Sequence, residues 1–124
     1  MPSIAIIGAS PDRAKFGNKA VRIYAKQGYT VYPINPKADV IEGIKTYRSI
    51  SDVPVTKLDR VSVYLPPQVG LQVLPEIAKK QVGELWLNPG AESQELMEKA
   101  EQLGLTVIAA CSIVNVGMDP DSFD

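Results

Sequence analysis

The sequence predicts an α/β fold built on one largely parallel sheet, and two observations indicate it. Five short apolar runs rich in Val, Ile and Tyr recur along the 124 residues, separated by segments with helical spacing. These runs are nearly continuous in apolarity, which is typical of parallel strands covered by helices on both faces. Alternation of strands with helices favours right-handed crossovers and a parallel sheet.

The apolar runs give the boundaries of five main strands. They are Ser3–Ile7, Thr30–Ile34, Arg60–Val63, Glu84–Leu87 and Thr106–Ala109. We expect an open, doubly wound, Rossmann-like sheet with strand order 3-2-1-4-5, which binds its ligand beside the first strand, where the order reverses. The length leaves no room for a second domain, so residues 1–124 are expected to form one domain.

Three amphipathic helices are predicted between these strands. Their apolar faces carry Ala20, Ile23, Tyr24 and Gln27; Val69, Val73, Leu74 and Ile77; and Leu96, Met97, Ala100 and Leu103. A glycine that stops each helix follows at Gly28, Gly83 and Gly104. Between residues 35 and 59 the pattern is less regular, with an extended piece at Ile44–Tyr47 and a helical turn at Ser49–Val53.

Composition excludes several kinds of partner. The net charge is −1, and no cluster of Lys or Arg indicates a nucleic-acid surface. No apolar run approaches the roughly 20 residues of a membrane span, and the N-terminus shows no secretory signal. A single cysteine fits a reducing compartment. We therefore expect a cytoplasmic protein that binds neither nucleic acid nor membrane.

The sequence contains no histidine, which limits its chemistry. Ser-His-Asp and Cys-His catalysis and histidine-based metal sites are excluded. The one tryptophan, Trp86, lies inside the fourth predicted strand and is expected to pack in the core.

The loop after the first strand is a candidate phosphate site. It begins with the small residues Gly8, Ala9 and Ser10, and a helix is expected to open near Gly17 and Asn18. Free backbone N–H groups and a positive helix N-terminus suit a phosphate. The loop is longer than the G-x-G-x-x-G turn, so the standard NAD fingerprint is not met. A plain strand-to-helix connection is the alternative.

The end of the second strand carries a cation where NAD-binding units have a carboxylate. Here the strand runs into Asn35, Pro36 and Lys37, whereas an Asp or Glu is needed to hold the ribose 2′-hydroxyl of NAD. Lys37 instead suits a ribose with an extra phosphate, as in NADP or coenzyme A (CoA). An ordinary surface lysine is the alternative.

Five short motifs together resemble one known family. Read in order, they are IAIIGAS, VYPINPK, VYLPP, LWLNPGA and TVIAACS. Their order and spacing over about 110 residues are similar to those of small stand-alone CoA-binding domain proteins, which are related to the N-terminal domain of the succinyl-CoA synthetase α subunit.

That resemblance implies a position for the pyrophosphate of CoA. Gly8, Ala9 and Ser10 would face the pyrophosphate, with the helix start at Gly17 and Asn18 behind it.

The resemblance also places the adenosine. Asn35 and Lys37 would lie near the 3′-phosphate and ribose. Leu65, Pro66 and Pro67 would form a wall for the adenine or for the start of the pantetheine arm. The two prolines also have a plain structural role, because proline is tolerated in the first turn of the following helix.

The pantetheine arm would be flanked by Asn88, Pro89 and Gly90, which also form a turn by composition. Family members often have a glutamine in place of Asn88. They also carry charged residues around the late cysteine, where this chain reads AACSIVNVG. Cys111 is expected to be a buried, inert thiol. The alternative is a mixed disulfide with the CoA thiol.

The function implied is binding of CoA or acyl-CoA without catalysis, because the related ligases use a phosphohistidine that this chain lacks. The alternatives are an NADP-dependent reductase or other nucleotide-dependent enzyme, and an interaction subunit that keeps only the fold. A small homodimer is expected, because an open sheet has exposed edges.

Overall fold

The computed structural model describes residues 1–122 and confirms the α/β fold. In chain order the elements are β1 (Ser3–Ile7), α1 (Phe16–Lys26), β2 (Thr30–Ile34), β3 (Val40–Ile41), β4 (Ile44–Lys45), β5 (Lys57–Val63), α2 (Pro67–Ala78), β6 (Gln81–Leu87), α3 (Gln94–Gln102), β7 (Val107–Ala109) and α4 (Ser112–Asn115). Short 3₁₀ turns lie at Ile50–Asp52 and Pro120–Ser122. The predicted extended piece and helical turn in the irregular stretch thus correspond to β4 and the first 3₁₀ turn.

The main sheet is parallel, with strand order β2-β1-β5-β6-β7. The expected order 3-2-1-4-5 is therefore wrong in one respect: the third main strand, β5, pairs with β1 and not with the outer edge of β2. That edge is occupied by Tyr47, whose N–H donates to Pro33 O and whose carbonyl accepts from Asn35 N, each at 2.9 Å. The order now reverses between β1 and β5, which is the usual ligand position in such sheets.

Gly83 does not stop a helix, contrary to expectation. α2 ends at Ala78, and Gly83 lies inside β6. A Cβ atom at Gly83 would lie 2.6 Å from the carbonyl oxygen of Asp59 in β5. The glycine is thus explained by the close approach of neighbouring strands.

Two apolar layers cover the sheet, and β1 contributes to both. Ile4 and Ile6 pack in the layer that includes α1 and α4, while Ala5 and Ile7 pack in the layer that includes α2 and α3. Trp86 is 4% exposed, which confirms its expected place in the core.

The C-terminal segment packs against α1. Tyr24 Oη donates to Ser112 O at 2.8 Å, and Lys19 Nζ donates to Pro120 O at 2.8 Å. The last two residues of that segment, 123 and 124, lie outside the described residues.

Candidate functional site

A groove runs along the carboxyl ends of β1, β2, β5 and β6. It consists of two adjoining cavities, the large cavity of about 490 Å³ and the small cavity of about 370 Å³. Gly8, Lys15, Tyr64 and Leu65 line both, so the cavities are continuous at the point where the strand order reverses.

The large cavity reaches from this shared wall to the end of β2 and along α2. Its remaining lining residues are Ile7, Ala9, Ser10, Ile34, Asn35, Pro36, Arg48, Ser49, Ile50, Val69, Val73 and Glu76.

The small cavity lies between the start of α1 and the turns after β5 and β6. Its remaining lining residues are Ala14, Phe16, Gly17, Pro66, Pro89, Gly90 and Ala91.

Two glycines let the first turn and α1 approach the sheet closely. Gly8 has φ +91°, and a Cβ there would lie 3.1 Å from the backbone of Tyr64. A Cβ at Gly17 would lie 2.2 Å from Gly8 O. The loop is longer than that of the dinucleotide fingerprint. Gly17 nevertheless has the same role as the last glycine of that fingerprint, because it allows the helix to pack closely on the end of the strand.

A network of side chains holds the loop between β1 and α1. Asn18 Nδ2 donates to Ser10 O at 2.9 Å and to Glu42 Oε2 at 3.0 Å, and Glu42 also forms an ion pair with Arg13. Arg22 Nε donates to Asn18 Oδ1 at 2.7 Å. The hydrogen bond from Asn18, with Arg13 beside it, lowers the pKa of Glu42 below its ordinary value.

Glu42 takes a conformation that L-residues rarely adopt. Its φ is +51°, and Gly43 after it has φ +75°, so the two form the turn between β3 and β4. The strained turn brings the carboxylate to the loop that it holds.

Asn35 ties the end of β2 to the first turn. Its Nδ2 donates to Ala9 O at 2.8 Å, and its Oδ1 accepts from the backbone N–H groups of Lys37 and Ala38 at 2.8 and 2.9 Å. The side chain of Lys37 is exposed and does not line either cavity. The cation that does line the large cavity near this strand end is Arg48, whose Nη1 donates to Pro36 O at 3.2 Å.

Asn88 is buried in a network below the small cavity. Its Nδ2 donates to Ser62 Oγ at 2.8 Å and to Val63 O at 2.9 Å, and its Oδ1 accepts from the Ser112 N–H at 2.9 Å. The Ser62 and Ser112 hydroxyls are 2.8 Å apart. Asn88 thus joins the ends of β5 and β6 to the start of α4.

Tyr64 connects this network with the groove. It lines both cavities, and its hydroxyl lies 3.3 Å from Ser112 Oγ. Burial raises the pKa of Tyr64 to about 12, so the phenol is neutral at physiological pH.

The structure brings most of the predicted site residues to one groove. Those that line it are Gly8, Ala9, Ser10, Gly17, Asn35, Leu65, Pro66, Pro89 and Gly90. Asn18 and Asn88 are buried behind its walls, Lys37 is exposed near its end, and Pro67 lines a separate surface cavity together with Pro66.

Several lining residues were absent from the sequence-based site. Lys15, Arg48 and Glu76 lie in none of the five motifs. Arg48 lies in the irregular stretch before β5, where spacing gives no orientation. Tyr64 directly follows β5 and lies inside the VYLPP motif, but the resemblance assigns only its neighbours Leu65, Pro66 and Pro67 to the site.

The groove offers no metal centre among residues 1–122. No cluster of three acidic or cysteine side chains there could hold a metal ion. Cys111 is half-buried, precedes α4 and lines neither cavity of the groove.

Within residues 1–122, each helix is too short or too polar to cross a membrane.

Comparison with known proteins finds relatives among ADP-forming CoA ligases. The chain is 31% identical over 116 residues to the α subunit of the ADP-forming acetate–CoA ligase II of Pyrococcus furiosus, covering 85% of this chain and 25% of the relative. It is 41% identical over 80 residues to the ADP-forming acetate–CoA ligase of Methanocaldococcus jannaschii, covering 64% of this chain and 11% of the relative. The chain thus spans a quarter or less of the length of these ligases.

A solved structure of similar size also matches. It is a conserved hypothetical protein from Pyrococcus furiosus, 38% identical with a TM-score of 0.80, and the match covers 90% of this chain and 94% of that one. The family model described as a CoA binding domain matches residues 2–117. The chain therefore belongs to the CoA-binding domain family.

Proposed function

We propose that the protein binds CoA or an acyl-CoA in the groove and catalyses no reaction of its own. The observation that carries the proposal is that the two cavities are continuous beside β1, where the strand order reverses. A long, linear ligand such as CoA, with a base at one end and a flexible arm at the other, suits a groove of this form.

The charges along the groove support an order for the ligand. Lys15 lines both cavities, directly before the N-terminus of α1, whose first turn contains no acidic residue. This junction is the proposed pyrophosphate position, because a helix N-terminus and a lysine both attract anions. Gly8, Ala9 and Ser10 would contribute backbone N–H groups there.

The large cavity is the proposed adenosine position. Asn35 and Arg48 line it near the end of β2, and Lys37 is exposed beside them. We assign the 3′-phosphate to Lys37 and Arg48 together, since both side chains are exposed. Within residues 1–122, Arg48 is held by an exposed ion pair with Asp39 at 3.8 Å and by its hydrogen bond to Pro36 O.

The small cavity is the proposed position of the pantetheine arm. Its walls include Pro66, Pro89 and Gly90, which add no charge, and Leu65 joins it to the large cavity. Asn18 and Asn88 would support these walls from behind.

The acetate–CoA ligases to which the chain is similar are several times longer than the matched segment. We do not extend their ligase activity to this chain. The lack of histidine supports binding without phosphoryl transfer through a phosphohistidine.

The test is calorimetric titration of the protein with CoA, acetyl-CoA, dephospho-CoA, NAD and NADP. We expect CoA and acetyl-CoA to bind, and dephospho-CoA to bind roughly tenfold more weakly, because it cannot form the charge-assisted hydrogen bonds to Lys37 and Arg48. A thermal-shift series should rank the ligands in the same order, since binding to the native state raises its stability.

Matched variants locate the 3′-phosphate. Lys37→Ala and Arg48→Ala should each weaken CoA but leave dephospho-CoA nearly unchanged. Lys57→Ala is the control, because Lys57 is exposed at the start of β5, at the amino ends of the strands and away from the groove. Binding of NADP alone would favour the reductase instead, and absence of binding by every ligand would favour an interaction subunit.

A further inference from the structure

Glu76 places a carboxylate in a cavity that otherwise attracts anions. Val69, Val73 and Glu76 follow one another along one face of α2, and all three line the large cavity. Glu76 is the one acidic residue among the described residues that line it, whereas Lys15 and Arg48 supply positive charge.

The carboxylate of Glu76 keeps unused hydrogen-bonding capacity. Its Oε1 accepts a hydrogen bond of 2.6 Å from Ser51 Oγ, on the 3₁₀ turn before β5. Within residues 1–122, no lysine or arginine pairs with Glu76. A carboxylate has about four acceptor positions, so the contact with Ser51 fixes the side chain and leaves acceptors for another donor.

The charge of Glu76 restricts which part of a nucleotide lies beside it. Phosphate groups are repelled by a carboxylate, so this part of the cavity suits a neutral group that carries a hydrogen-bond donor. The nearby walls are apolar, formed by Ile34, Ile50, Val69 and Val73, and such walls suit a flat base. Adenine presents its 6-amino group as a donor, whereas 6-oxopurines present an acceptor.

We propose that Glu76 determines base specificity by accepting a hydrogen bond from the 6-amino group of adenine and repelling the oxygen of 6-oxopurines. Ser51 acts as a positioning residue, because it holds the Glu76 carboxylate. The inference rests on the proposed function, since it assigns the base end of the same CoA groove.

The test compares CoA with its deaminated analogue, in which hypoxanthine replaces adenine. The two ligands differ little in size. Calorimetric titration of the wild type should show at least roughly tenfold weaker binding of the analogue, as expected for loss of a hydrogen bond to a charged acceptor. In Glu76→Gln the ratio of the two affinities should fall close to one, because a side-chain amide can turn to donate to the 6-oxo group.

Glu98→Gln is the matched control, since Glu98 is an exposed glutamate on α3 that accepts a hydrogen bond from Gln94 at 2.8 Å. It should keep the wild-type ratio. Equal binding of CoA and the analogue by the wild type would overturn the inference, and so would an unchanged affinity ratio in Glu76→Gln. Both outcomes would leave the proposed function intact. Failure of CoA itself to bind would overturn both.

Discussion

Replacing Gly17 by alanine should destabilise the protein, although the same change in a helix usually stabilises. Gly17 is the second residue of α1, and its φ is not in the left-handed region. On helix propensity alone, alanine would therefore be favoured over glycine by up to about 1 kcal/mol. The structure reverses that expectation, because the new Cβ would lie 2.2 Å from Gly8 O and 3.0 Å from Gly8 C.

The size of the effect follows from what must move. The obstructing atoms belong to the backbone of the first turn, so no side chain can rotate out of the way, and α1 must shift from the sheet. Overpacking of this kind costs about 1–3 kcal/mol or more. Taking the upper end, because the contact is with backbone, and subtracting the propensity gain leaves a net loss of about 2 kcal/mol.

The assay is urea unfolding followed by circular dichroism, with Gly70→Ala as the matched control. Gly70 is also helical, but a Cβ there would meet the two methyl groups of Leu96, at 3.1 and 3.9 Å, which are side-chain atoms that can shift more easily than backbone. We expect Gly70→Ala to change the free energy of unfolding by less than about 1 kcal/mol. A Gly17→Ala protein as stable as the wild type, or more stable, would refute the close packing of α1 on the first turn.

Three further predictions concern the groups around the groove. Asn88→Ala should lower the free energy of unfolding by about 3 kcal/mol, because the buried hydroxyls and the N–H that bind Asn88 lose their partner. The control Asn115→Ala, at an exposed position, should leave the free energy of unfolding nearly unchanged. A similar loss of stability in both variants would contradict the role of Asn88. Since burial raises the pKa of Tyr64 to about 12, the unfolded chain ionises first, and stability should fall between about pH 10 and 12. Tyr64→Phe should flatten that decline in a pH series of unfolding curves, and an identical slope would count against it. Glu42→Gln should speed hydrogen exchange in the loop of residues 12–15. In the wild type, exchange in the same loop should increase only as the pH falls through the lowered pKa of Glu42. Unchanged exchange in Glu42→Gln would exclude a role of Glu42 in holding the loop.

The sequence predicts the elements of the fold well, because apolar runs and helical spacing are local signals. It fails on the position of β5, since alternation of strands and helices fixes strand direction but not which neighbour a strand pairs with. The deciding contact is the pairing of Tyr47 with the edge of β2, in a stretch without regular spacing. Gly83 was misplaced for a related reason: glycine after a helical pattern predicts a stop, while the close contact with Asp59 exists only in the folded sheet.

In the candidate site too, local sequence signals identified some residues, while others are brought together only by the folded structure. Residues in strand-end turns, such as Gly8, Leu65 and Gly90, were indicated by the motifs of the family resemblance, and they come together because the carboxyl ends of parallel strands lie at the same end of the sheet. Arg48 and Glu76 were not found, because one lies in an irregular stretch and the other is a polar position of an amphipathic helix. Only the packing of α2 beside the 3₁₀ turn brings them to the same cavity.

Chemical-shift mapping with the ¹⁵N-labelled protein and CoA would show directly whether CoA lies in the groove. We expect the largest amide shifts at Gly8, Lys15, Leu65 and Gly90, along the groove. Gly28 should be unaffected, because it precedes the amino end of β2, away from the groove. Shifts centred near Gly28, or larger shifts with NADP than with CoA, would contradict binding of CoA in the groove.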